Sequence, residues 1–313
     1  MIVICLNSIH GLKKVRRIIN YIVLLLGFQI NIYAQIDSAG KLSNNIIEED
    51  KISTHDILIL RRTIHNSFRI INGHGTPTLG KKQLEFCIQH RFGQLSSGYK
   101  GAWGLDQSNI RIGLDYGLNR NITIGFGRSG MGKTSNGYIK WGIVKPDGTN
   151  QFKTAVTWLS DMAYVFEKNA TGLNPYYNTH RMNYTHQLLI SRNSYLGRHM
   201  FMLQLAPTLV HRNLVETTAD ANDIPLLVGN VRYRINDRIH LTGEFSHAFN
   251  KRIRNSGPPM AGAGIEFWTS GHAFQLFVSN ANSINEFRYM TDGNNGRFGK
   301  GDLRLGFNIV RRW

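Results

Sequence analysis

The sequence predicts an all-β chain: a single antiparallel transmembrane β-barrel of about twelve strands, preceded by an export signal. Three observations predict it. Apolar and polar residues alternate with period two along most of the chain from Lys81 onward. Long and short connections between these segments broadly alternate, as they do in barrels with short periplasmic turns and long external loops. A basic cluster followed by a short apolar run opens the chain.

That opening segment comes first. Lys13, Lys14, Arg16 and Arg17 precede an apolar stretch from Ile18 to Tyr33, and Ala34 precedes Gln35. Basic region, apolar core and small residue read as a secretory signal peptide over residues 1–34. The polar interruptions Asn20, Gln29 and Asn31 make the run short for a membrane span. Cleavage removes four basic and no acidic residues, so the formal charge falls from +17 to +13. It also removes Cys5 and leaves Cys87 alone, which excludes an internal disulfide. Hydrophobic residues make up 42% of the 313-residue chain and aromatics 11%, which excludes a disordered polymer. Residues 35–75 are mixed and polar and read as a periplasmic lead-in; residues 76–313 read as the barrel.

Within the barrel, Leu84, Phe86 and Ile88 alternate with Glu85, Cys87 and Gln89. Ile110, Ile112, Leu114 and Tyr116 alternate with Arg111, Gly113 and Asp115, and Ile122, Ile124 and Phe126 with Thr123, Gly125 and Gly127. Further strands are predicted at 137–144, 153–165, 180–191, 200–212, 223–235, 239–247, 260–269, 273–279 and 301–312, after 81–92, 109–116 and 122–128. Most reach the roughly 9–11 residues that a tilted strand needs to cross a bilayer. Gly117–Asn121, Asn236–Arg238 and Ser270–His272 are tight links, whereas 93–108, 166–179, 248–259 and 280–300 are long and rich in Gly, Asn and Ser. His186 is the misfit, because its parity places it on the apolar face of its strand.

Alternation by itself also suits a soluble β-sandwich or ligand-binding barrel with the apolar face inward. Three features favour the membrane: the export signal, the Tyr and Trp residues near strand ends (Tyr116, Tyr138, Tyr164, Trp268, Trp313), and a last strand ending in an aromatic. That last strand, ending at Trp313, is the expected handle for the barrel-assembly machinery. If the apolar face meets lipid, the lumen is lined by Glu85, Arg91, Arg111, Asp115, Lys140, Asp161, Arg212, Arg232, Arg234, His240, Glu244, Glu266 and Arg304. An Arg or Lys at the lipid midplane would cost about 2–4 kcal/mol, which a polar lumen avoids. Seven basic against five acidic side chains favour small anionic or polar solutes if the lumen is open. If the charges are fully paired, the lumen is plugged and the barrel is an anchor or surface-binding scaffold.

Other chemistry is weakly signalled. Gly127-Arg-Ser-Gly-Met-Gly132-Lys133-Thr134 fits the G-x-x-x-x-G-K-[ST] phosphate loop, but Asn136-Gly137 follows as a turn and alternation resumes at Tyr138, so no helix opens there. The histidines lie on different strands without compact ligand spacing, so no metal and no cofactor is expected. A Ser–His hydrolase built on His240 or His247 lacks a nucleophile elbow, and no catalytic residue is assigned. The basic charge of an exported chain points to outer-membrane lipid headgroups or polyanionic sugars and not to nucleic acid.

The chain resembles an uncharacterised family of exported outer-membrane β-barrel proteins of Gram-negative bacteria, a domain of unknown function. The resemblance runs from about Arg69 to Trp313. It is carried by Arg69-Ile-Ile-Asn-Gly-His74, Leu84-Glu-Phe-Cys-Ile-Gln-His-Arg-Phe-Gly93 and Gly104-Leu-Asp-Gln-Ser-Asn-Ile-Arg-Ile-Gly-Leu-Asp-Tyr-Gly117. His186-Gln-Leu-Leu-Ile190, Pro207-Thr-Leu-Val-His-Arg-Asn213, Gly271-His-Ala-Phe-Gln-Leu276 and Gly299-Lys-Gly-Asp-Leu-Arg-Leu-Gly-Phe-Asn308 add to it. The resemblance implies an outer-membrane barrel and supplies no catalytic residues. The sequence thus points to a pore or transporter for small polar or anionic solutes; the alternatives are a membrane-embedded enzyme acting on lipid or glycan, and a plugged, surface-binding barrel.

Overall fold

The computed structural model describes residues 68–145, 154–167, 177–196, 199–213, 221–249, 259–269, 271–291, 295–297 and 300–313. The expected signal peptide and residues 35–67 of the expected lead-in lie outside them. Twelve strands close a barrel: β3 (Leu84–Gln94), β4 (Ser108–Gly117), β5 (Ile122–Ser129), β6 (Thr134–Val144), β7 (Thr154–Val165) and β8 (Met182–Leu196) form its first half. The second half is β9 (His199–Arg212), β10 (Asp223–Arg234), β11 (Ile239–Ala248), β12 (Met260–Trp268), β13 (His272–Ser279) and β14 (Arg304–Arg312). Each strand pairs antiparallel with its sequence neighbours, and β14 closes the ring on β3, with Ile309 opposite Ile88 and Phe307 opposite His90. Closure leaves no free sheet edge, which is the condition for a sheet to stand in hydrocarbon.

The alternation of the sequence becomes an inside and an outside. Along β4, Ile110, Ile112, Leu114 and Tyr116 are exposed while Asn109, Arg111 and Asp115 are buried. Ile112 keeps 51% of its surface open and its neighbour Arg111 only 1%, a contrast opposite in sign to that of a water-soluble barrel. Phe126, Ile139, Trp141, Leu205, Leu241 and Phe245 continue the apolar exterior.

Short connections lie at the end where β3 begins and β14 stops, and the β5–β6 link is short at the opposite end. Two of them are built by asparagine. Asn119 Oδ1 accepts from the backbone N–H groups of Asn121 and Ile122, at 2.7 and 2.8 Å, and turns β4 into β5. Asn236 Oδ1 does the same for Arg238 and Ile239, both at 2.9 Å, between β10 and β11. The phosphate-loop-like stretch is the tight β5–β6 hairpin, a short 3-10 turn at Met131–Lys133 with Gly132 at φ 62° and no helix behind it.

The interior is not empty. A two-residue hairpin, β1 (Arg69–Ile70) with β2 (Gly73–His74), lies wholly buried. These residues, 68–75, are the end of the expected periplasmic lead-in, and they pack against barrel-wall residues. The β13–β14 connection adds the mostly buried stretch Asn280 to Thr291, including the short helix α1 (Glu286–Thr291). The inner wall is also not uniformly polar. Leu159, Leu189, Ala206, Val210, Ile224 and Val228 form an apolar cluster with Phe68 and Leu79 of the N-terminal segment and with Phe287 and Met290 of α1. An apolar patch inside a polar wall is stable here because these two inserted segments cover it.

Candidate functional site: a plugged polar lumen

Residues 68–79 form a plug whose main chain is held by side chains of the wall. Glu244 on β11 accepts the N–H of Asn72 at 2.7 Å and of Gly73 at 3.1 and 3.2 Å. On the opposite polarity, Arg91 Nη2 and Asn308 Nδ2 donate to the carbonyl of Ile71 at 3.1 and 2.8 Å. Arg91 also grips the Asn72 side chain through Nε and Nη2, at 3.2 and 2.8 Å. Ile71 sits at φ 57°, an uncommon conformation for a β-branched residue, and these three wall residues hold it there. Gln275 donates to the Arg69 carbonyl at 2.9 Å, Gln204 to that of His74 at 2.8 Å and Thr157 to that of Thr76 at 2.7 Å. Thr123 Oγ1 accepts the Leu79 N–H at 2.8 Å, and the hydroxyls of Thr76 and Ser191 are 2.7 Å apart.

The plug is also tied to the β13–β14 connection. Arg69 Nη1 donates to Glu286 Oε1 at 2.7 Å, and His74 Nε2 lies 3.0 Å from the same oxygen. All three are fully buried. Burial is the main reason that the His74 imidazole falls to a pKa of about 3, with the Arg69 charge adding to it. Burial works against Glu286 too, but the Arg69 guanidinium overrides it and holds the carboxyl well below its ordinary range. The cluster therefore carries one carboxylate shared by a guanidinium and a neutral imidazole at neutral pH.

The thirteen charged positions singled out in the sequence fall at three levels. Arg91 and Glu244 touch the plug as described, and Lys140 Nζ sits 3.7 Å from the centre of the Phe68 ring. A second group belongs to networks within the wall. Arg111 donates to Gln89 at 3.0 Å and to Asn136 at 3.0 and 3.2 Å, and Asn136 donates to Asp161 at 2.6 Å. Asp115 accepts from the Tyr138 hydroxyl. Glu266 is approached by Arg232 at 3.4 Å and His240 at 3.1 Å, and accepts from Trp268 at 2.6 Å and from Gln275. The third group lies towards the barrel ends. Glu85 pairs with Arg312 at 2.6 Å, Arg234 approaches Asp237 at 3.7 Å, Arg304 donates to the Asn280 carbonyl at 2.9 Å, and the half-buried Arg212 donates to the Ala221 carbonyl at 3.1 Å. Sequence reasoning from charge passed over the neutral amides and hydroxyls that do much of the holding: Gln204, Gln275, Asn308, Thr123, Thr157 and Ser191. Their signal was parity, since each follows the inward alternation of its strand.

The misfit histidine is explained. Ser160 and His186 are register partners on β7 and β8, both on the outer wall, and Ser160 Oγ lies 3.0 Å from His186 Nδ1. The hydroxyl satisfies an imidazole that the lipid would leave unpartnered. Among the described residues no group of three or more His, Cys, Asp or Glu side chains is placed to hold a metal ion.

A family model described as "Membrane bound beta barrel domain (DUF5777)" matches residues 65–313. No curated protein matches the chain. Among solved structures, the outer membrane protein Omp33 of Acinetobacter baumannii is 8% identical, with 74% of this chain and 99% of that chain covered and a TM-score of 0.44. The NanC porin is 9% identical, with 72% and 97% covered and a TM-score of 0.43. Outer membrane phospholipase A from Escherichia coli is 10% identical, with 77% and 95% covered and a TM-score of 0.40.

Proposed function

Because the chain belongs to the family of membrane bound beta barrel domains (DUF5777), we propose that it is an outer-membrane channel for small polar solutes, anions preferred, held shut in this conformation by its own N-terminal segment. The observation that carries the reading is how the plug is held. Its main chain is gripped by neutral amides, hydroxyls and the charged Arg91 and Glu244, every one of which would face water once the segment withdrew. Polar contacts of this kind exchange for water at a net cost of about 0.5–1.5 kcal/mol each, so the polar part of the grip can be released in steps; uncovering the apolar patch beneath Phe68 and Leu79 adds to the cost of opening. The basic excess among the inward charges gives the opened path its preference for anions. Residues 1–34 serve as the export signal and 35–67 belong to the periplasmic lead-in. The closing strand β14, with the exposed Trp313 behind it, is the segment we assign to recognition by the barrel-assembly machinery.

The Thr76 and Ser191 hydroxyls, 2.7 Å apart, give a direct test. In a Thr76→Cys, Ser191→Cys double variant, a disulfide fastens plug to wall. Planar-bilayer recordings are expected to be silent when the pair is oxidised and to show openings after reduction, with a reversal potential in a KCl gradient displaced towards chloride. A barrel that stays sealed in the reduced form, in wild type and in a variant with a weakened plug, overturns the channel.

A further inference from the structure

The outer wall carries a feature that the lumen does not explain. Between β4 and β5 runs a groove of about 520 Å³, walled by Ile110, Ile112, Leu114 and Phe126 and ended by Arg128 and Lys133. No carboxylate lines it. Gly130 is among the residues that line it. A Cβ there would meet only the Ile110 carbonyl oxygen, at 3.9 Å.

The two cations are those of the phosphate-loop-like stretch, Gly127 to Thr134, realised as a hairpin. Arg128 is exposed on the outward side of β5, opposite Ile112. Its position is fixed: Nη1 donates to Ser135 Oγ at 2.9 Å, and the guanidinium lies 4.8 Å from the centre of the Phe166 ring. One contact to Ser135 uses one of five guanidinium donors. Phe166 stands just past the end of β7 beside Tyr164, in the aromatic band that such barrels place at the headgroup level. Lys133 is exposed in the adjoining turn. A guanidinium and an ammonium at headgroup depth, above an apolar channel that runs down the wall, match one class of molecule at both ends.

We propose that this groove binds an anionic membrane lipid, its phosphate held between Arg128 and Lys133 and an acyl chain laid along Ile110, Ile112, Leu114 and Phe126. Charge complementarity selects the headgroup, since a zwitterionic lipid brings its own cation to the same place. Phosphate is the fitting anion, because its oxygens accept from both the planar guanidinium and the lysine ammonium. The site rests on the barrel lying in a membrane and is independent of whether the lumen conducts.

Native mass spectrometry of the full-length barrel, released from micelles doped with equal phosphatidylglycerol and phosphatidylcholine, tests it. Wild type is expected to retain one phosphatidylglycerol in preference to phosphatidylcholine. Arg128→Gln with Lys133→Gln should lower that preference about tenfold, the effect of losing a charge-assisted contact. Gly130→Leu keeps both cations, is compatible with φ −65° at that residue, and fills the groove; it should lose the lipid to a similar extent. Equal retention of the two lipids by wild type, or undiminished retention in the charge variant with an unchanged β-sheet circular dichroism spectrum, overturns the proposal. Complete displacement of phosphatidylglycerol by inorganic phosphate also overturns it, because the acyl contacts would then contribute nothing. If Gly130→Leu fails to fold, the charge variant alone decides.

Discussion

Glu244 is the side chain on which the closed lumen depends most directly. Its carboxylate accepts two main-chain N–H groups at the tip of the plug, and both would be left buried without a partner if it were removed. An orphaned buried donor costs about 1–3 kcal/mol. Glu244→Ala should therefore shift the closed–open balance by at least about 2 kcal/mol, which is about a 30-fold rise in open probability in bilayer recordings. Glu244→Gln keeps an acceptor oxygen and should show a smaller rise. An open probability equal to wild type in both variants would show that the plug is held elsewhere. At this scale the sequence revealed charges and hid amides. Arg91 and Glu244 stand out in a strand by their cost in lipid, whereas Gln204 or Asn308 is unremarkable in either environment and acquires its role only from what lies opposite.

The strands were the most legible elements, because a membrane wall forces one face of each to be apolar over its whole length. Their ends shift by only a few residues from the periodicity, and Asn119 and Asn236 mark two of the turns in plain sight. The plug hairpin left no such trace. Phe68 to His74 is surrounded on all sides, partly by polar wall and partly by the apolar cluster, so no face is favoured and no period appears. One turn element is sharply constrained. The segment Gly80–Gln83 crosses over Gly117, with Lys82 N–H donating to the Gly117 carbonyl at 2.8 Å. A Cβ at Gly117 would fall 1.9 Å from the Gly80 carbonyl oxygen, a backbone atom that cannot rotate away. Gly117→Ala should lower stability by about 1–3 kcal/mol, read as an earlier urea midpoint of tryptophan fluorescence in micelles. An unchanged midpoint would mean that the turn is free to move.

Across the described residues the barrel wall is apolar outside and mostly polar inside, with a stopper of its own chain, and acid should loosen the stopper. His74 is neutral when buried beside Glu286, whose carboxylate it shares with Arg69, near the Tyr138 and Phe68 rings, with Lys140 over the Phe68 ring. Its pKa is about 3 in place and 6.5 when released, so the released segment binds the extra proton as pH falls from about 6.5 towards 3. Glu286 is held below its ordinary value, so its contribution is complete above about pH 4.5 and is lost only at lower pH. Both effects have the same sign. At pH 5 the closed state should be about 2 kcal/mol less favoured than at pH 8. Open probability recorded at the two values checks this, and His74→Phe should flatten the dependence above pH 5. A rise in opening towards alkaline pH would contradict the arrangement.

The wall's grip on residues 69–79 falls largely on peptide groups: the N–H of Asn72, Gly73 and Leu79, and the carbonyls of Arg69, Ile71, His74 and Thr76. Peptide groups are common to every polypeptide. The bore is thus a receptor for a bent length of backbone, with the side chains of Arg69, Asn72, His74 and Thr76 setting which length it accepts.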